Sequence, residues 1–600
     1  ETFWAEGLLV HNCFIQGVQD DMESIMDLAK SEAMLFKYGS GTGTDLSTLR
    51  SSREKLSGGG SPSGPMSFLK VYDAVAGVIK SGGKTRRAAK MNTLLCDHPD
   101  ILEFVEAKSK EEAKAHALIR EGYPADYNGE AYSSVAFQNA NLSVRVTDKF
   151  LEAVEADADW STIGVTTGEP VETMKAGELM DKIAEGTWLC GDPGVQYHDT
   201  IQAWHTSPNT APIACSNPCS EYLYINDSAC NLASINLMKF RNEDGTFDVG
   251  RFRAACRIFI TAQEILVDNA SYPTELIAAN SHKFRPLGLG YANLGGLLMS
   301  LGLPYDSDEG RGIAGAITAI MTGEAYRTSA AHAAHLGPFA GFEVNREPML
   351  RVMAQHQAAI DDIHPSVPDY LKEAAEAAWQ AAIYLGERRG YRNSQVSVLA
   401  PAGTIGFKMD CDTTGVEPCI ALVVYKNLAG GGQLKLTNRL VPLALKSLGY
   451  GVEVDYSCNG DPHRFDRAGA IVDYVDRHGT VEGCEELEPD HLSVFDCAFP
   501  AIKDGRAIHY TGHLRMMAAV QPFLSGAISK TCNMPESATV AEIRDTYMLG
   551  WKLGLKAVAI YRDGSKGSQP LSTKKEESAP ADPGLTTVST AGLGVSEPAP

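Results

Sequence analysis

The 600-residue sequence lacks an excess of positive charge. Lys and Arg number 53 against 75 Asp and Glu, which gives a formal net charge of −22 at pH 7. Binding to nucleic acid or to anionic membranes depends on clustered basic residues. The composition therefore predicts no nucleic-acid partner and no membrane partner, and an anionic ligand would need a local site.

A long and purely apolar run is also missing. The longest uncharged stretch, PLGLGYANLGGLLMSLGLPY at 286–305, is long enough to cross a bilayer, but it contains five glycines, Asn293 and a closing proline. We interpret it as a buried, closely packed helix and turn. The N-terminus is neither basic nor followed by a cleavage-like site, so we expect no signal peptide and a cytoplasmic location.

The cysteines do not form the pattern of a disulfide framework. There are 13 of them, an odd number, with irregular spacing and no CxxC. The closest group, Cys215 and Cys219, lacks the third ligand that a zinc or iron–sulfur site would need, so we predict no metal site. Reduced thiols are expected, and a pair that does form would be catalytic.

The usual nucleotide-binding fingerprints are absent as well. None of the glycine-rich segments fits GxGxxG followed by an acidic residue, or GxxxxGK[ST]. PAGTIG at 401–406 differs from the others because it directly follows the strand-like NSQVSVLA. A Gly-Thr turn there could present backbone N–H groups to a phosphate.

What the chain does contain is alternation of helical patterns with short apolar runs such as SVLAP and AVAIY, from residue 13 to about 567. This alternation predicts an α/β fold with mainly parallel strands. The segments 22–39 and 368–390 have helical periodicity with glycine stops. The length exceeds one ordinary core of roughly 250 to 300 residues, so we expect several domains or one large barrel-like unit.

The densest polar stretch is CSNPCSEYLYINDSACNLASINL at 215–237. Asn217, Cys219 and Glu221 alternate, so their side chains would project to one side if the segment is extended. An amide, a thiol and a carboxylate would then share one small site, with Cys230 following eleven residues after Cys219. The alternative is a loop with a buried cysteine and a solvated glutamate.

The first residues raise a separate question. In GLLVHNCFIQ at 7–16, His11 could activate the bond at which Asn12 cyclises, and Cys13 is a thiol just beyond that bond. This is the chemistry of protein splicing. The alternative is a strand that happens to contain His and Asn.

Several motifs of the sequence together resemble those of a known family. NPCSE followed by CNLASINL resembles the active-site finger loop of ribonucleotide reductases. Further segments agree in family order: CFIQGVQDDMESI, GSGTGTDLSTLR, SGGKTRRAAKMNTL, PAGTIG, GVEPCIA, and LSGAISKTCNMP to GLKAVAIYRDG. The resemblance covers roughly residues 13 to 567 and implies a ten-stranded α/β barrel, built of two five-stranded parallel half-sheets around a central finger loop.

The resemblance also implies roles. Cys219 would be the thiyl-radical cysteine that abstracts the 3′ hydrogen of the ribose, Glu221 the general base for the 3′-hydroxyl, and Asn217 the amide that orients the substrate hydroxyls. Cys13 and Cys230 would supply two electrons by closing to a disulfide. A thioredoxin-like dithiol reductant would then restore them.

Substrate and effector contacts are implied in the same way. A ribonucleoside diphosphate would meet Gly41, Asn217, Pro218, Ser220 and the phosphate loop Pro401, Ala402, Gly403, Thr404 and Ile405. A deoxynucleotide triphosphate effector would meet Asp20, Arg50, Lys84, Arg86 and Arg87, although an exposed solvated face is the alternative for the arginines. A homodimer is expected.

The family's classes differ in how the radical forms. Tyr561 lacks the tyrosine neighbour that a class I relay uses, and Glu221 argues against class III. The remaining class II uses adenosylcobalamin, although no corrinoid-binding motif is visible. A class I large subunit or another barrel oxidoreductase that binds a dinucleotide stays as the alternative.

The expected organisation follows from these interpretations. Residues 1–12 resemble the C-terminal remnant of an intein, with Cys13 both splice nucleophile and catalytic cysteine. Residues 13–567 would form the catalytic barrel with its N-terminal part missing. Residues 568–600, rich in Pro, Ala, Ser and Thr, would be a disordered linker. A splicing element with inert flanks is the non-enzyme alternative, although only twelve residues look intein-like.

Overall fold

The structure is a computed structural model that describes residues 2–5, 8–56, 58–79, 88–124, 129–427, 433–456, 462–502 and 505–565. The predicted linker at 568–600 lies outside these ranges.

Strands and helices alternate along the described chain, as the sequence predicts for an α/β fold. The strands are β1 Thr2–Ala5, β2 Leu8–Gln16, β3 Gly41–Asp45, β4 Lys90–Leu95, β5 Ala140–Val146, β6 Asp159–Ile163, β7 Pro170–Lys175, β8 Gly194–Tyr197, β9 Cys215–Ser216, β10 Leu223–Tyr224, β11 Ser228–Asn236, β12 Leu287–Ala292, β13 Val423–Asn427, β14 Gln433–Thr437, β15 Val452–Tyr456, β16 Pro462–Asp466, β17 Thr531–Met534 and β18 Ala557–Arg562. The α-helices are α1 Met22–Lys37, α2 Gly64–Val78, α3 Ile101–Arg120, α4 Glu130–Ser133, α5 Asp148–Glu155, α6 Ala176–Cys190, α7 His198–Ala203, α8 Val249–Asn269, α9 Glu275–Phe284, α10 Leu294–Ser300, α11 Asp308–Leu336, α12 Phe342–Ala358, α13 Asp369–Arg389, α14 Gly403–Lys408, α15 Val441–Ser447, α16 Arg467–His478, α17 Tyr510–Val520 and α18 Val540–Lys552.

One large mixed sheet organises the molecule. Its strand order is β12-β11-β2-β3-β4-β5-β8-β18-β17, with β1 paired to β2 outside this path. The run from β2 through β3, β4 and β5 to β8 is parallel throughout. β11 and β12 are parallel, and so are β17 and β18. Antiparallel pairing occurs where these groups meet, between β2 and β11 and between β8 and β18.

The strand-like segment NSQVSVLA lies between the two ends of this path. Parallel bridges join Leu289 of β12 to Ser397, and Leu399 to Ile528 just before β17. It forms bridges rather than a regular strand because the Ser525 hydroxyl accepts the N–H groups of Val396 and Ser397, at 3.0 and 2.9 Å. A side chain there takes donors that a full β-ladder would use.

Burial explains why these strands are short and apolar or glycine-rich. β3, GTGTD, and β12, LGLGYA, are buried at every position, as expected of parallel strands covered on both faces. The main apolar core lies between the sheet and its surrounding helices. Within α11 most residues are buried, and the helix packs against α13, whose Trp379 is fully buried.

Several predicted elements agree with the structure. α1 and α13 occupy the predicted helical segments 22–39 and 368–390, and β18 contains AVAIY. The stretch 286–305 is buried as expected, but it forms strand β12 before helix α10 rather than a helix and turn. The β-branched-free LGLGYA is a strand because it pairs with β11 inside the sheet. Among the described residues, no helix is both long and apolar enough to span a bilayer.

A smaller apolar cluster, the second core, lies apart from the main one. Its buried members are Met299, Cys419, Leu422, Val423, Leu440, Val441, Ala444, Leu445, Tyr450, Ile471, Val475, Val481, Cys484, Leu487, Val494, Phe495 and Cys497. All of these except Met299 come from residues 419–497. This segment therefore packs largely on itself.

Candidate active site at the finger loop

The finger loop is a short hairpin, residues 215–224, whose strands β9 and β10 pair antiparallel. Its tip is a tight turn: the N–H of Ser220 donates to the carbonyl of Asn217 at 3.1 Å, and Ser220 has a left-handed φ of 64°. The tip is therefore not extended, and alternation is not what groups its side chains. Asn217 and Glu221 are each 1% exposed, whereas Cys219 is exposed at the apex.

Two glycines of β3 let the finger loop approach the sheet. A Cβ on Gly43 would lie 1.7 Å from the carbonyl oxygen of Ser216, and one on Gly41 would lie 2.8 Å from Cγ of Pro218. The sequence predicted Gly41 as a close-approach residue for substrate. In the structure, Gly41 contacts the finger loop and also lines a cavity of about 280 Å³ beside the tip of the loop.

Polar side chains of neighbouring strands hold the finger loop in place. Asn141 of β5 donates to the carbonyl of Pro218 at 3.0 Å, and Gln196 of β8 donates to the hydroxyl of Ser216 at 2.8 Å. Both donors are on strands of the same parallel run. The Gln196 bond is buried, whereas Asn141 is exposed at the cavity wall, and together the two bonds tie both sides of the finger loop to the strands.

Cys13 and Cys230 stand opposite each other across the antiparallel pair of β2 and β11. Opposed residues of such a pair have Cα atoms about 4.5 to 5.5 Å apart, which is a separation that a disulfide can bridge. No disulfide joins the cysteines of the described ranges, so both thiols are reduced here. Gly288 of β12 leaves room for one of them, because a Cβ there would lie 2.6 Å from Sγ of Cys230.

The finger loop contacts one of these thiols directly. The side-chain amide of Asn217 donates to Sγ of Cys13 at 3.1 Å, and Cys13 contacts Oε1 of Glu221 at 3.7 Å. The N–H of Tyr222 donates to Oδ1 of Asn217 at 2.9 Å, which turns the amide NH₂ toward the thiol. The structure thus brings together four of the five predicted catalytic residues in contact or in register, with Cys219 at the tip above them.

Burial keeps the inner thiol protonated. Cys230 is fully buried, and desolvation, followed by the charge of Glu221, raises its pKa well above the ordinary value. A neutral thiol retains the hydrogen that redox or hydrogen-atom chemistry uses. Cys13 is half-buried and lines the cavity of about 280 Å³ beside the finger loop.

The first cavity, of about 280 Å³, collects the predicted substrate residues. Its lining comprises Cys13, Gly41, Ala89, Asn217, Pro218, Cys219, Glu221, Leu232, Ala233, Ser234, Ala400, Pro401, Ala402, Gly403, Thr404 and Ile405. Ser220, also predicted as a substrate contact, instead lines the opposite side of the finger loop. Its left-handed backbone turns it away from its neighbours in the tip.

The predicted phosphate loop begins a short helix at the edge of this cavity. Ala402 has a left-handed φ of 49° and precedes α14, which begins at Gly403. The first turn of an α-helix leaves its N–H groups without intrahelical partners. Gly403 and Thr404 are exposed, so their backbone is accessible from the cavity.

A second cavity, of about 530 Å³, lies on the other side of the finger tip. Pro218 and Cys219 line both cavities. The second is also lined by Asn141, Ser220, Lys530, Phe499 and Tyr561, among others. The apex thiol is therefore accessible from two sides.

The predicted effector residues are only partly described. Asp20 and Arg50 form an ion pair with each other, with Nε and Oδ2 2.5 Å apart, and are not part of either cavity around Cys219. Lys84, Arg86 and Arg87 lie outside the described residues. The predicted splice residues His11 and Asn12 lie within β2, aligned with Leu232 and Asn231 of β11.

Several site residues were not identified from the sequence. Gly43, Asn141, Gln196 and Gly288 hold or admit the catalytic groups but stand in strands far from the finger-loop motif. Gly43 and Gly288 carried a signal, because glycine at every second position of GTGTD and of LGLGYA indicates close backbone approach. In the described part of the chain, no group of three or more potential metal ligands is found.

Known relatives match most of this chain. The sequence is 61% identical over 573 residues to the "Vitamin B12-dependent ribonucleotide reductase" of Rhodopirellula baltica, covering 95% of this chain and 54% of that protein. It is 30% identical over 566 residues to the "Vitamin B12-dependent ribonucleoside-diphosphate reductase" of Mycobacterium tuberculosis, covering 94% and 69%. The chain therefore spans a little over half the length of the Rhodopirellula baltica relative.

A solved structure shares the fold. The class Id ribonucleotide reductase alpha subunit of Actinobacillus ureae superposes with a TM-score of 0.62 at 16% identity, covering 92% of this chain and 84% of that one. The family model described as "Ribonucleotide reductase, barrel domain" matches residues 11–561. With the finger loop and its thiols in this arrangement, the chain belongs to the ribonucleotide reductase barrel-domain family.

Proposed function

We propose that this chain forms the catalytic barrel of an adenosylcobalamin-dependent ribonucleotide reductase, an oxidoreductase that supplies DNA precursors. The observation that carries the proposal is the position of Cys219, at the tip shared by two cavities, above Cys13 and Cys230 in register. Relatives that are 61% and 49% identical to this chain over most of its length are named for vitamin B12 dependence. The activity is that of a whole protein, of which this chain spans about half in those relatives.

Cys219 would carry the radical. Removing hydroxide from an unactivated carbon is unfavourable, whereas a radical on the adjacent carbon makes its loss feasible. A thiyl radical at the exposed apex could take the 3′ hydrogen of a ribose bound in the 280 Å³ cavity and return it at the end. The turn at Ser220 supports this role because it projects Cys219 from an otherwise buried loop.

Glu221 and Asn217 would handle the hydroxyl groups. Both line the same cavity as Cys219 and are themselves buried. We infer that Glu221 accepts the proton of the 3′-hydroxyl and that the Asn217 amide orients the substrate. The bond from Tyr222 N–H to Asn217 supports the second role, because it leaves the NH₂ group of the amide directed toward Cys13 and the cavity.

Cys13 and Cys230 would supply the reducing equivalents. Replacing the 2′-hydroxyl by hydrogen, with loss of one water, requires two electrons and two protons. Oxidation of the two thiols to one disulfide provides both. A thioredoxin-like dithiol reductant would then reduce the disulfide by thiol exchange, entering from the half-buried Cys13 rather than from the buried Cys230.

The substrate would be a ribonucleoside diphosphate held at Pro401, Ala402, Gly403, Thr404 and Ile405. The residues that begin α14 line the cavity that also contains Cys13 and Cys219. The Mycobacterium tuberculosis relative is named for a diphosphate substrate. A backbone cradle needs no cluster of basic side chains, which fits a chain with net charge −22.

The second cavity is where we place adenosylcobalamin. Its mixed lining, from Asn141 and Lys530 to Phe499 and Tyr561, offers both hydrogen-bonding groups and apolar contacts to a large corrinoid. When bound, the cofactor supplies a radical through homolysis of its cobalt–carbon bond. The exposed Cys219 thiol would then be the hydrogen donor on this side, opposite the substrate. A class I subunit or a dinucleotide-dependent oxidoreductase stays as the alternative.

Finer features of the architecture are also proposals. We infer that the sheet closes into a ten-stranded barrel of two five-stranded parallel half-sheets, supported by the bridges of Ser397 and Leu399 to both ends of the strand path. We retain residues 13–567 as the catalytic barrel and 568–600 as a linker. Residues 1–12 would be an intein remnant, with His11, Asn12 and Cys13 at the splice junction.

We also propose an effector site and a homodimer, both on the surface of the molecule. A deoxynucleotide triphosphate would bind at Asp20 and Arg50, with Lys84, Arg86 and Arg87. A homodimer is supported by exposed apolar residues on the neighbouring helices α1 and α2, where Met22 is 61% and Val78 75% exposed. A reducing compartment such as the cytoplasm would keep the thiols reduced.

The test is adenosylcobalamin-dependent formation of a deoxyribonucleoside diphosphate by the full-length protein with a dithiol reductant. Cys219→Ala should abolish product while leaving cobalamin binding, measured by its visible absorption. Cys256→Ala, a buried thiol of α8 distant from the motif, should stay active. Product formation by the Cys219 variant would overturn the radical assignment. Activity that needs a metal-containing partner subunit instead of cobalamin would favour the class I alternative.

A further inference from the structure

Residues 524–527, the support segment, hold the backbone of Glu221. The N–H of Ala527 donates to the carbonyl of Glu221 at 2.7 Å. Gly526 approaches the same carbonyl so closely that a Cβ there would lie 2.8 Å from its oxygen. The support segment therefore contacts the finger loop at the residue that carries the predicted general base.

One buried lysine binds three consecutive carbonyls of the support segment. Nζ of Lys556 donates to the carbonyl oxygens of Leu524, Ser525 and Gly526, at 3.2, 3.4 and 2.6 Å. An ammonium group has three N–H donors and no acceptor, so the number of donors matches the number of carbonyls. Because Lys556 is 2% exposed, little water can compete for these acceptors.

The sheet fixes the position of the lysine itself. Lys556 directly precedes β18, and its carbonyl accepts the N–H of Tyr197 in β8 at 3.0 Å. Gln196, the residue before Tyr197, donates to the hydroxyl of Ser216 on the first arm of the finger loop. The junction between β8 and β18 therefore reaches both arms of the finger loop, Ser216 directly and Glu221 through the support segment.

Neighbouring amides do not duplicate the lysine. Gln395 donates to the carbonyl of Ser525 at 3.4 Å, and Gln521 donates to that of Gly526 at 3.3 Å. Both distances are beyond the usual range of such bonds, whereas Nζ of Lys556 is 2.6 Å from the carbonyl oxygen of Gly526. Removal of the lysine side chain should therefore release the support segment.

We propose that Lys556 is a positioning residue for Glu221. It fixes the carbonyls of the support segment, and Ala527 at the end of that segment fixes the Glu221 backbone. The carboxylate is thereby held with Oε1 3.7 Å from Sγ of Cys13. The consequence for catalysis rests on the proposed reductase function, in which Glu221 is the general base, but the position of the carboxylate does not.

The reactivity of Cys13 reports the position of Glu221 without any substrate. A nearby carboxylate disfavours the thiolate form of a cysteine, and the thiolate is the form that iodoacetamide alkylates. If Lys556→Met lets the carboxylate move away, alkylation of Cys13 in the reduced chain at pH 7.5 should become about threefold faster or more. Loss of the positive charge of the lysine alone would slow this reaction instead.

A double variant distinguishes positioning from general loosening. Glu221→Gln keeps the shape of the side chain but removes its charge, so it should also accelerate alkylation of Cys13. If the lysine acts through Glu221, adding Lys556→Met to Glu221→Gln should give no further acceleration. Cys256, a fully buried thiol of α8, should stay slow in every variant unless the chain unfolds. An unchanged rate for Lys556→Met, or the same acceleration in both backgrounds, would overturn the proposal.

A second substitution covers the case in which Lys556→Met does not fold. Gly526→Ala places a methyl group against the carbonyl of Glu221 and should accelerate alkylation of Cys13 in the same way, again only while the carboxylate is present. An unchanged rate for this variant would also contradict the proposal. Lys552→Met, at an exposed ion pair, is the matched control and should react like the unaltered chain.

The deoxynucleotide assay on the full-length protein tests the consequence for catalysis. The turnover number of Lys556→Met should fall at least tenfold, while that of Lys552→Met should not change. Full turnover by a Lys556→Met chain with accelerated alkylation of Cys13 would refute the link between this position and catalysis. An unaltered protein that forms no deoxynucleotide would instead refute the proposed function, and the alkylation rates would still decide the role of Lys556.

Discussion

The carbonyl oxygen of Ser216 occupies the space that a side chain on Gly43 would need. A Cβ at position 43 would lie 1.7 Å from this oxygen and 2.8 Å from its carbon. Both obstacles are backbone atoms at the root of the finger loop, so no rotamer change could relieve the contact. The finger loop can therefore pack this closely on β3 only because residue 43 has no side chain.

Substituting Gly43→Ala should lift or tilt the finger loop. Overpacking of a buried site costs about 1–3 kcal/mol of unfolding free energy, and displacement of Cys219 should lower turnover by at least tenfold. Denaturant unfolding and the deoxynucleotide assay measure the two effects. Gly58→Ala is the control, because a Cβ there meets no atom within 4 Å. Full activity of the Gly43 variant would contradict the close approach.

Removing the inner thiol should prevent the first turnover as well as later ones. Cys230→Ser keeps the size of the side chain but cannot form a disulfide with Cys13. We expect steady-state reduction to fall by at least a hundredfold, with no dithiol-reversible link between peptides that contain residues 13 and 230. Quantified alkylation after one substrate addition checks this. A variant that sustains multiple turnovers would show that other thiols supply the electrons.

The amide of Asn217 should matter for position rather than for protonation. Asn217→Ala removes the acceptor for Tyr222 N–H and the donor to Cys13. Leaving a buried donor unsatisfied costs about 1–3 kcal/mol. We expect that loss of stability together with a raised KM. Asn269→Ala is a suitable comparison, since the exposed amide of Asn269 donates to the carbonyl of Ile265 in its own helix, at 2.9 Å. Equal stability of both variants would contradict the role.

Lys556 predicts a pH dependence of stability. It is 2% exposed and donates to the carbonyls of Leu524, Ser525 and Gly526, and burial lowers its pKa to about 7. The unfolded chain, with an ordinary Lys pKa of about 10.4, binds more protons between those values, so the free energy of unfolding rises with pH in that window and is flat below it.

The Lys556→Met variant tests this contribution. Its free energy of unfolding should lack the rise, so the difference between the unaltered protein and the variant should grow by about 1.4 kcal/mol per pH unit above pH 7. Urea unfolding at pH 6, 7, 8 and 9 measures it. Lys552→Met, at an exposed ion pair with Glu155, should leave the slope unchanged. Parallel curves for Lys556→Met would show that the lysine stays charged.

Local motifs predicted most of the site because its chemistry is concentrated in a few short segments. The finger loop, the predicted phosphate loop at 401–405 and Cys13 line one cavity, and Cys230 stands opposite Cys13 in the sheet. The roles that the resemblance implies for them stay predictions. Helices 22–39 and 368–390 were predictable from their apolar periodicity, since each buries one stripe against the core.

The remainder depended on contacts between distant strands. Asn141 and Gln196 are ordinary polar residues in their own strands, and only folding places them beside Pro218 and Ser216. Alternation would group Asn217, Cys219 and Glu221 only in an extended segment, but the left-handed Ser220 makes the tip turn, and alternation alone carries no information on such a residue. The segment 286–305 mixes glycine and leucine, which suit a buried strand or a buried helix equally.

The register between β2 and β11 decides which face of the sheet Cys13 and Cys230 occupy. Side chains alternate faces along a strand, so a slip of a single residue at this junction would send Cys13 or Cys230 to the opposite face of the sheet. An electron pair could then no longer leave through a sulfur–sulfur bond. Chains with this shifted register would be inactive. Alkylation of only one of the two thiols would reveal the shift before any loss of helix content did.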